Sequence, residues 1–452
     1  MSSDALSEEA SVQFKENGCL RTFVLNRPKK LNVVNREMLE RLRPKIEEWA
    51  SQDLVGVIAA TGNGRAFCAG GDVASVVEDC ASPETLPRAI EFFQREFELD
   101  YILAAMPKPY IAIMDGITLG GGVGLCANAS FRIATENSTF AMPETKIGYC
   151  PDVGASFFLS RADGQVGTYL GLTGETISGR AIFEHGFATH FVPSWRIPAL
   201  MERVASLWNP THQQIDALIE DHRDDNIPNE LTSPLVGSIR AALDSAFRYD
   251  SVEKIMEHLA NLSEKSPHEN IRDWAKKTLD ILYLRSPTSL KVALYSIREG
   301  EELNIATAFC RGEASKDFYE GVDKVVVKKL RDERPNWQPN TIGEVSDDFI
   351  QTSFFPGPVT TEGSWPRLSI PEWLKKMDSK VADPMIYGLP TEGEIKEIVE
   401  GSHKSSGSTA LTLDEVIEKF ETRKKGKAGV RQRKCATEED KQLGKKWLKW
   451  IH

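Results

Sequence analysis

No apolar run in the 452-residue chain approaches the roughly 18 to 20 residues that a membrane-spanning helix requires, so a water-soluble body is expected. Cysteine is sparse: there are seven, an odd number, with no CxxC spacing and no paired histidines beside them. That usage fits a reducing compartment and argues against a zinc site. Basic residues are missing from the start of the chain, where three acids precede the first lysine, Lys15. Neither a signal peptide nor an Arg-rich transit peptide is legible there, although a mature chain could have lost one. No internal repeat of solenoid length is found.

Positive charge is scarce overall but unevenly placed. The net charge is −11, yet residues 422–452 hold eleven Lys or Arg against three acids, a balance of +8 that leaves −19 on residues 1–421. The general field of so acidic a body disfavours nucleic acid, whereas the tail suits an anionic surface. Hydrophobic residues at 41% suffice for a core. The length implies two to three domains, or one large domain with an extension.

The central stretch is Tyr110–Met114, read as a buried strand, followed by the glycine-rich Asp115–Gly124. Glycines allow tight turning and close backbone approach to a ligand, and the first N–H groups of a following helix suit an oxygen that gains negative charge. Upstream, the pattern predicts a strand over Leu20–Leu25, a basic turn over 26–32, a helix over Arg36–Trp49 and a strand over Leu54–Ala60. A second glycine-containing loop spans Thr61–Asp72. An amphipathic helix is predicted over 84–105, with Glu96 beside its apolar stripe as a solvated carboxylate. Beyond Phe131–Ala134, a further strand, residues 138–160 read as loop and turn. A helix follows near Gln165–Leu172, then a short strand at Thr189–Val192, and mostly helices from Pro198 to about Lys329. These units predict α/β layering with parallel strands. Residues 339–410 read as irregular, with islands at 371–376 and 393–399 and a flexible Ser/Gly linker at 401–408. A short helix N-capped by Thr412 precedes the basic run Arg423–Lys434 and Trp447–Trp450.

Five stretches together resemble the crotonase superfamily: Leu25–Asn32, Gly64–Asp72, Gly116–Gly124, Phe140–Glu144 and Gly148–Gly154. Within it they are most similar to the 3-hydroxyisobutyryl-CoA hydrolase family. Ala188–His190, Ser286–Lys291, Asp317–Val322 and Pro335–Trp337 extend the likeness over residues 12–338. The resemblance implies an α/β fold, a crotonase-like spiral of repeated ββα units at 12–195. A helical part at 196–338 and an irregular extension at 339–452 follow. It implies an acyl-CoA thioester as substrate, with no cofactor beyond the CoA that the substrate carries and no metal. The carbonyl oxygen would lie between the N–H groups of Gly71 and Gly121, an oxyanion hole worth roughly 3 kcal/mol per donor.

By the same likeness Glu144 is the general base or the nucleophile, and Asp152 reads the 3-hydroxyl group or assists the leaving thiol. Glu96 becomes a substrate-contacting residue, while Arg27, Lys30, Leu31 and Ala69, with Lys29 beside them, lie where the family contacts CoA. Without the surrounding motifs, Glu144 and Asp152 would read as turn residues beside Pro143 and Pro151. Gly124 stands where enoyl-CoA hydratases of the superfamily have a glutamate, which lowers the hydratase reading. The expected reaction is hydrolysis of 3-hydroxyisobutyryl-CoA in mitochondrial valine breakdown. A homo-oligomer is left open. The competing expectation is a structural component of the mitochondrial ribosome's small subunit built on the same fold, since hydrolase-like homologues occur there. Its RNA or protein contacts would run through residues 412–452.

Overall fold

The computed structural model describes residues 10–223, 233–299, 303–355, 367–376, 385–403 and 411–424, with Lys427, Val430 and the backbone of 437–442 and 445–450. The N-terminal stretch before residue 10, the Ser/Gly cluster from 404 on and most of the basic run after Lys424 lie outside the described residues. So do the side chains of Trp447 and Trp450.

Among the described residues up to Phe191, ten strands form two sheets. They are β1 (Val12–Asn17), β2 (Leu20–Leu25), β3 (Val57–Gly62), β4 (Ala66–Cys68), β5 (Tyr110–Met114), β6 (Ile117–Leu119), β7 (Phe131–Ala134), β8 (Thr139–Ala141), β9 (Ile177–Ser178) and β10 (His190–Phe191). One sheet has the order β1-β2-β3-β5-β7-β10 and the other β4-β6-β8-β9. β3, β5 and β7 thus enter the large sheet while their immediate successors β4, β6 and β8 enter the small one. This is the predicted spiral of ββα units. Pairing is parallel except for β1 with β2 and β8 with β9. Every residue of β5 and of β7 is buried, as central strands covered on both faces require.

The predicted helices appear with small shifts: Arg36–Ser51, N-capped by the Asn35 side chain on the Met38 N–H at 3.0 Å, Leu86–Ala104, and a run of helices from Ile197 to Arg311. Several short elements are additional to those predicted. β1, β4, β6, β8 and the helix Val73–Cys80 were not anticipated, and 138–160 contains β8, a 3-10 turn at Glu144–Ile147 and a helix at Ala155–Leu159. Three-residue strands offer no alternation long enough to read.

The extension is not a loose appendage where it is described. Leu374, Leu389, Ile395, Ile398, Val416, Phe420 and Val430 join the same hydrophobic core as the β-sheet body. Polar clamps fix the path. The Arg43 guanidinium donates to Ser369 O at 2.8 Å and pairs with the buried Glu98, which also accepts from the Ser369 N–H. Gln94 Nε2 donates to Arg367 O at 2.8 Å, and Arg240 meets Glu392 at 2.9 Å. The Thr412 side chain caps Leu413–Arg423 in a capping box, as its sequence predicted. The final hairpin pairs Thr437–Gln442 with Lys445–Trp450. Among the described residues no helix is long and apolar enough to cross a membrane.

Candidate active site

Strand register in the small sheet assembles the site. Parallel pairing sets Cys68 beside Thr118 and Leu119 beside Ala141, so the segments leaving β4, β6 and β8 emerge together. These carry Gly70–Gly71, Gly120–Gly121 and Glu144. Gly120 has φ +50°, and a side chain there would meet Glu144 Oε1 at 2.6 Å. Only glycine fits that turn beside that carboxylate. A bridge between Val34 and Gly71 uses the Gly70 carbonyl and the Asp72 N–H, leaving the N–H of Gly71 unspent on Val34. Gly121 opens the helix Gly121–Ala127, so its N–H has no acceptor within the helix. A Cβ on Gly121 would stand 3.1 Å from the Gly71 nitrogen. The two proposed oxyanion donors are therefore neighbours across the turn.

Three carboxylates converge on this point. Glu96, Glu144 and Asp152 are all buried, at 3%, 6% and 4% exposure. The helical pattern alone had made Glu96 a solvated residue, but its helix turns that face to the site, and Glu96 Oε1 lies over Gly121 in the path of any side chain there. Glu96 Oε1 and Glu144 Oε2 are buried without a hydrogen-bond partner, which marks them for a ligand rather than for structure. Burial, then the charges of Asp152 and Glu144, push the Glu96 carboxyl well above the usual range; burial, then Asp152, do the same to Glu144. Asp152 Oδ2 accepts from Tyr149 Oη at 3.0 Å. The next residue, Val153, has φ +53°, a strained value for a β-branched side chain that fixes the aim of Asp152.

Three motifs that sequence reading left without a role buttress the turn at Glu144. Ser286 Oγ donates to Asp317 Oδ2 at 2.6 Å, and the Gln338 N–H donates to Asp317 Oδ1 at 2.9 Å. Trp337, fully buried, donates to Leu284 O at 3.0 Å. Asp317 in turn backs onto Gly148, whose φ of +70° closes the 3-10 turn, and Thr145 Oγ1 donates to Leu172 O at 3.0 Å. Asp100, one turn beyond Glu96 on the same helix, is a buried carboxylate also missed; a Cβ on Gly124 would meet its Oδ2 at 2.5 Å.

The residues expected at CoA divide. Arg27 pairs with Asp72 at 3.2 Å and donates to Val33 O at 2.7 Å, so it braces the Gly71 loop. Lys29 and Lys30 are exposed on a 3-10 turn ended by Leu31 at φ +51°, and Leu31 O accepts from the Ala69 N–H at 3.0 Å. That bond puts the lysine turn beside the Gly71 loop. Among the described residues, the one group of side chains with metal-ligand spacing is His190, Asp216 and Glu220. The ammonium of Lys427 from the extension sits among them, 2.7 Å from Glu220, 3.2 Å from His190 Nε2 and 3.9 Å from Asp216.

Two sheets fed alternately by ββα units, with paired glycine N–H groups under a carboxylate cluster, define the crotonase class of α/β protein. The chain belongs to the enoyl-CoA hydratase/isomerase family, whose profile matches residues 20–354. Among relatives, the small ribosomal subunit protein mS47 of Neurospora crassa is 36% identical over 446 residues, covering 94% of this chain and 84% of that protein. The mitochondrial 3-hydroxyisobutyryl-CoA hydrolase of Gallus gallus is also 36% identical, over 77% of this chain and 89% of its own. A carnitinyl-CoA dehydratase from Mycobacterium thermoresistibile superposes with a TM-score of 0.66 at 30% identity, covering 79% of this chain and all of the other.

Proposed function

We propose that this chain hydrolyses a short 3-hydroxyacyl-CoA thioester, 3-hydroxyisobutyryl-CoA foremost, in mitochondria. The observation that carries the reading is the convergence of two unspent glycine N–H groups with the buried carboxylate of Glu144, whose Oε2 has no hydrogen-bond partner. The thioester oxygen is held by Gly71 and Gly121 N–H while charge grows on it. Glu144 either takes a proton from the attacking water or attacks the carbonyl carbon itself. The C–S bond then breaks, and the leaving thiolate takes a proton from the carboxyl cluster; in the nucleophilic route water then cleaves the acyl–Glu144 anhydride, releasing the acid and restoring the carboxylate. Because Glu96 and Glu144 both hold protons more tightly than usual, the cluster can keep one acid beside one base. Asp152, aimed by Tyr149, meets the 3-hydroxyl group. The lysines at 29 and 30 suit the phosphates of CoA.

A second reading is supported by a separate observation. The mS47 match covers 94% of the chain and so must run well past Phe354, where the family profile ends, whereas the Gallus hydrolase match covers 77%. We propose that the extension adapts this hydrolase body for association with the small subunit of the mitochondrial ribosome. The catalytic set supports retained activity alongside that role. Purified protein should release free thiol from 3-hydroxyisobutyryl-CoA; release no faster than background sinks the first reading. For the second, replacing Arg431, Arg433 and Lys434 by glutamate should abolish co-sedimentation with mitochondrial small subunits at low salt while leaving thioester cleavage intact. Unchanged co-sedimentation rejects a basic-tail contact.

A further inference from the structure

Three side chains with nitrogen and oxygen donors meet at the edge of the large sheet. His190 belongs to the edge strand β10, and Asp216 and Glu220 stand four residues apart on the helix His212–Glu220, so they share one helix face. Asp216 Oδ1 lies 3.0 Å and Glu220 Oε1 3.4 Å from His190 Nε2, and all three atoms fall within 4.8 Å of one another. Arg223 meets Glu220 through the other oxygen, Oε2, at 3.7 Å. Into this group the extension places a cation. Lys427 Nζ is 2.7 Å from Glu220 Oε1, 3.2 Å from His190 Nε2 and 3.9 Å from Asp216 Oδ1, and both Lys427 and His190 are buried.

Hydrogen bonds behind the histidine set its tautomer. The Arg132 N–H donates to Thr189 Oγ1 at 2.8 Å, and that hydroxyl gives its single hydrogen to Arg132 O at 3.1 Å. His190 Nδ1, 2.9 Å from the same oxygen, therefore carries the ring proton, and Nε2 turns a lone pair toward the carboxylates. A ring held through one N–H while the other nitrogen faces carboxylates is the arrangement of a metal-ligating histidine. An imidazole lone pair and a carboxylate oxygen 3.0 Å apart repel each other unless a cation answers both.

The spacing suits an ion smaller than ammonium. A tetrahedral ion with bonds of about 2.1 Å sets its ligand atoms about 3.4 Å apart, whereas an ammonium centred on three hydrogen bonds of ~2.8 Å would spread them to about 4.6 Å. The separations of 3.0 and 3.4 Å from Nε2 match the smaller ion, and the ammonium sits off centre, close to Glu220 and far from Asp216.

We propose that His190, Asp216 and Glu220 form a divalent-cation site of the zinc class, and that the Lys427 ammonium occupies it while the extension is docked, so that metal ion and extension compete for one place. One imidazole and two carboxylates suit Zn2+ and leave a fourth position to water. Two carboxylates with one ammonium keep a negative charge, and two carboxylates with a divalent ion keep none. Metal entry expels Lys427 and loosens the hold on the helix Leu413–Arg423 just before it. The site is independent of thioester cleavage and of ribosome association.

The test titrates the reduced, chelator-stripped full-length protein with Co2+ and then Zn2+. We expect one Co2+ per chain, with the visible absorption of a tetrahedral nitrogen and oxygen site and no thiolate charge-transfer band, which separates it from the cysteines; Zn2+ should displace it. Lys427→Met should bind Zn2+ at least ten-fold more tightly, because the competing cation is gone. Asp216→Asn with Glu220→Gln should bind it at least ten-fold more weakly, and His190→Gln should lose the Co2+ spectrum. Should His190→Gln fail to fold, the carboxylate pair decides, since both residues are partly exposed. In the wild type, saturating Zn2+ should quicken hydrogen exchange over Leu413–Arg423 at least ten-fold. No Co2+ uptake, a thiolate band in its place, equal Zn2+ affinity in the wild type and Lys427→Met, or exchange that Zn2+ leaves unmoved overturns the proposal.

Discussion

Glu96 holds its carboxylate directly over Gly121, so closely that any side chain on the glycine would strike it. The same added atom would stand 3.1 Å from the Gly71 nitrogen, inside the space where an oxyanion would sit. Gly121→Ala is expected to lower kcat by 100-fold or more, about 3 kcal/mol of transition-state stabilisation. Adding Glu96→Ala should relieve the clash and recover thermal stability without recovering turnover, because the methyl group still crowds the donors. Recovery of both by the double variant would mean that Gly121 acts through Glu96 alone.

Glu144 couples activity to stability with opposite signs. Its pKa in the fold lies above the ordinary value near 4.5, chiefly through burial and then through Asp152. The protonated form is thus favoured by folding, and the contribution is fully present below pH 4.5. It is lost as pH rises through the folded value, by about 1.4 kcal/mol per pH unit within that window. Glu144→Gln keeps the shape and removes the titration. At pH 8 the variant should melt higher than the wild type, with a flatter profile of Tm against pH, while thioester cleavage falls at least 100-fold. A lower Tm at pH 8 would show that the carboxylate is held by partners it does not display.

Gly124 has a steric reason beside the chemical one. Its glycine identity had been read as the loss of a hydratase carboxylate, yet a Cβ there would meet Asp100 Oδ2 at 2.5 Å and Val153 Cβ at 2.6 Å. Gly124→Glu is therefore expected to destabilise the fold by 3 kcal/mol or more rather than create hydratase activity, since it overpacks the core and forces two acids together. Pairing it with Asp100→Gly should restore part of the melting temperature. Chemical denaturation of the three proteins checks the order.

How far the sequence discloses this depends on the range of the interaction. Glu144 and Asp152 are legible because their motifs are contiguous and their chemistry is local. The central strand Tyr110–Met114 is legible because five buried residues in a row leave little choice. Asp100 could have been found as the residue four positions from Glu96 on one helix face. The pairing of Leu119 with Ala141, which brings Glu144 to Gly120, could not, since three-residue strands carry no register signal. Nor could the docking of the extension. Its polar composition suggested a linker, but Glu98 meets Ser369 across 271 positions, and Leu374, Ile395 and Ile398 of its islands are buried in the core.

The extension's hold on the body should rest heavily on Lys427. Its ammonium lies buried among Glu220, His190 and Asp216, 237 positions from His190 along the chain. Burial, then Lys427 itself, lower the His190 pKa, so the histidine is neutral there and the lysine answers the two acids. Lys427→Met keeps the length and apolar stem but takes the buried ammonium away from Asp216 and Glu220. Breaking a buried pair from one side costs about 3 to 5 kcal/mol; with Asp216 and Glu220 only partly buried, at 24% and 18% side-chain exposure, the lower end or less is expected. The loss should localise. Hydrogen exchange over Leu413–Arg423 should quicken at least ten-fold while exchange in β5 and β7 is unchanged, because those strands sit in the centre of the large sheet. Adding Asp216→Asn and Glu220→Gln to Lys427→Met should slow that exchange again by reducing the negative charge that the ammonium had balanced. Uniform destabilisation across the chain would instead make the extension an inseparable part of the folding unit.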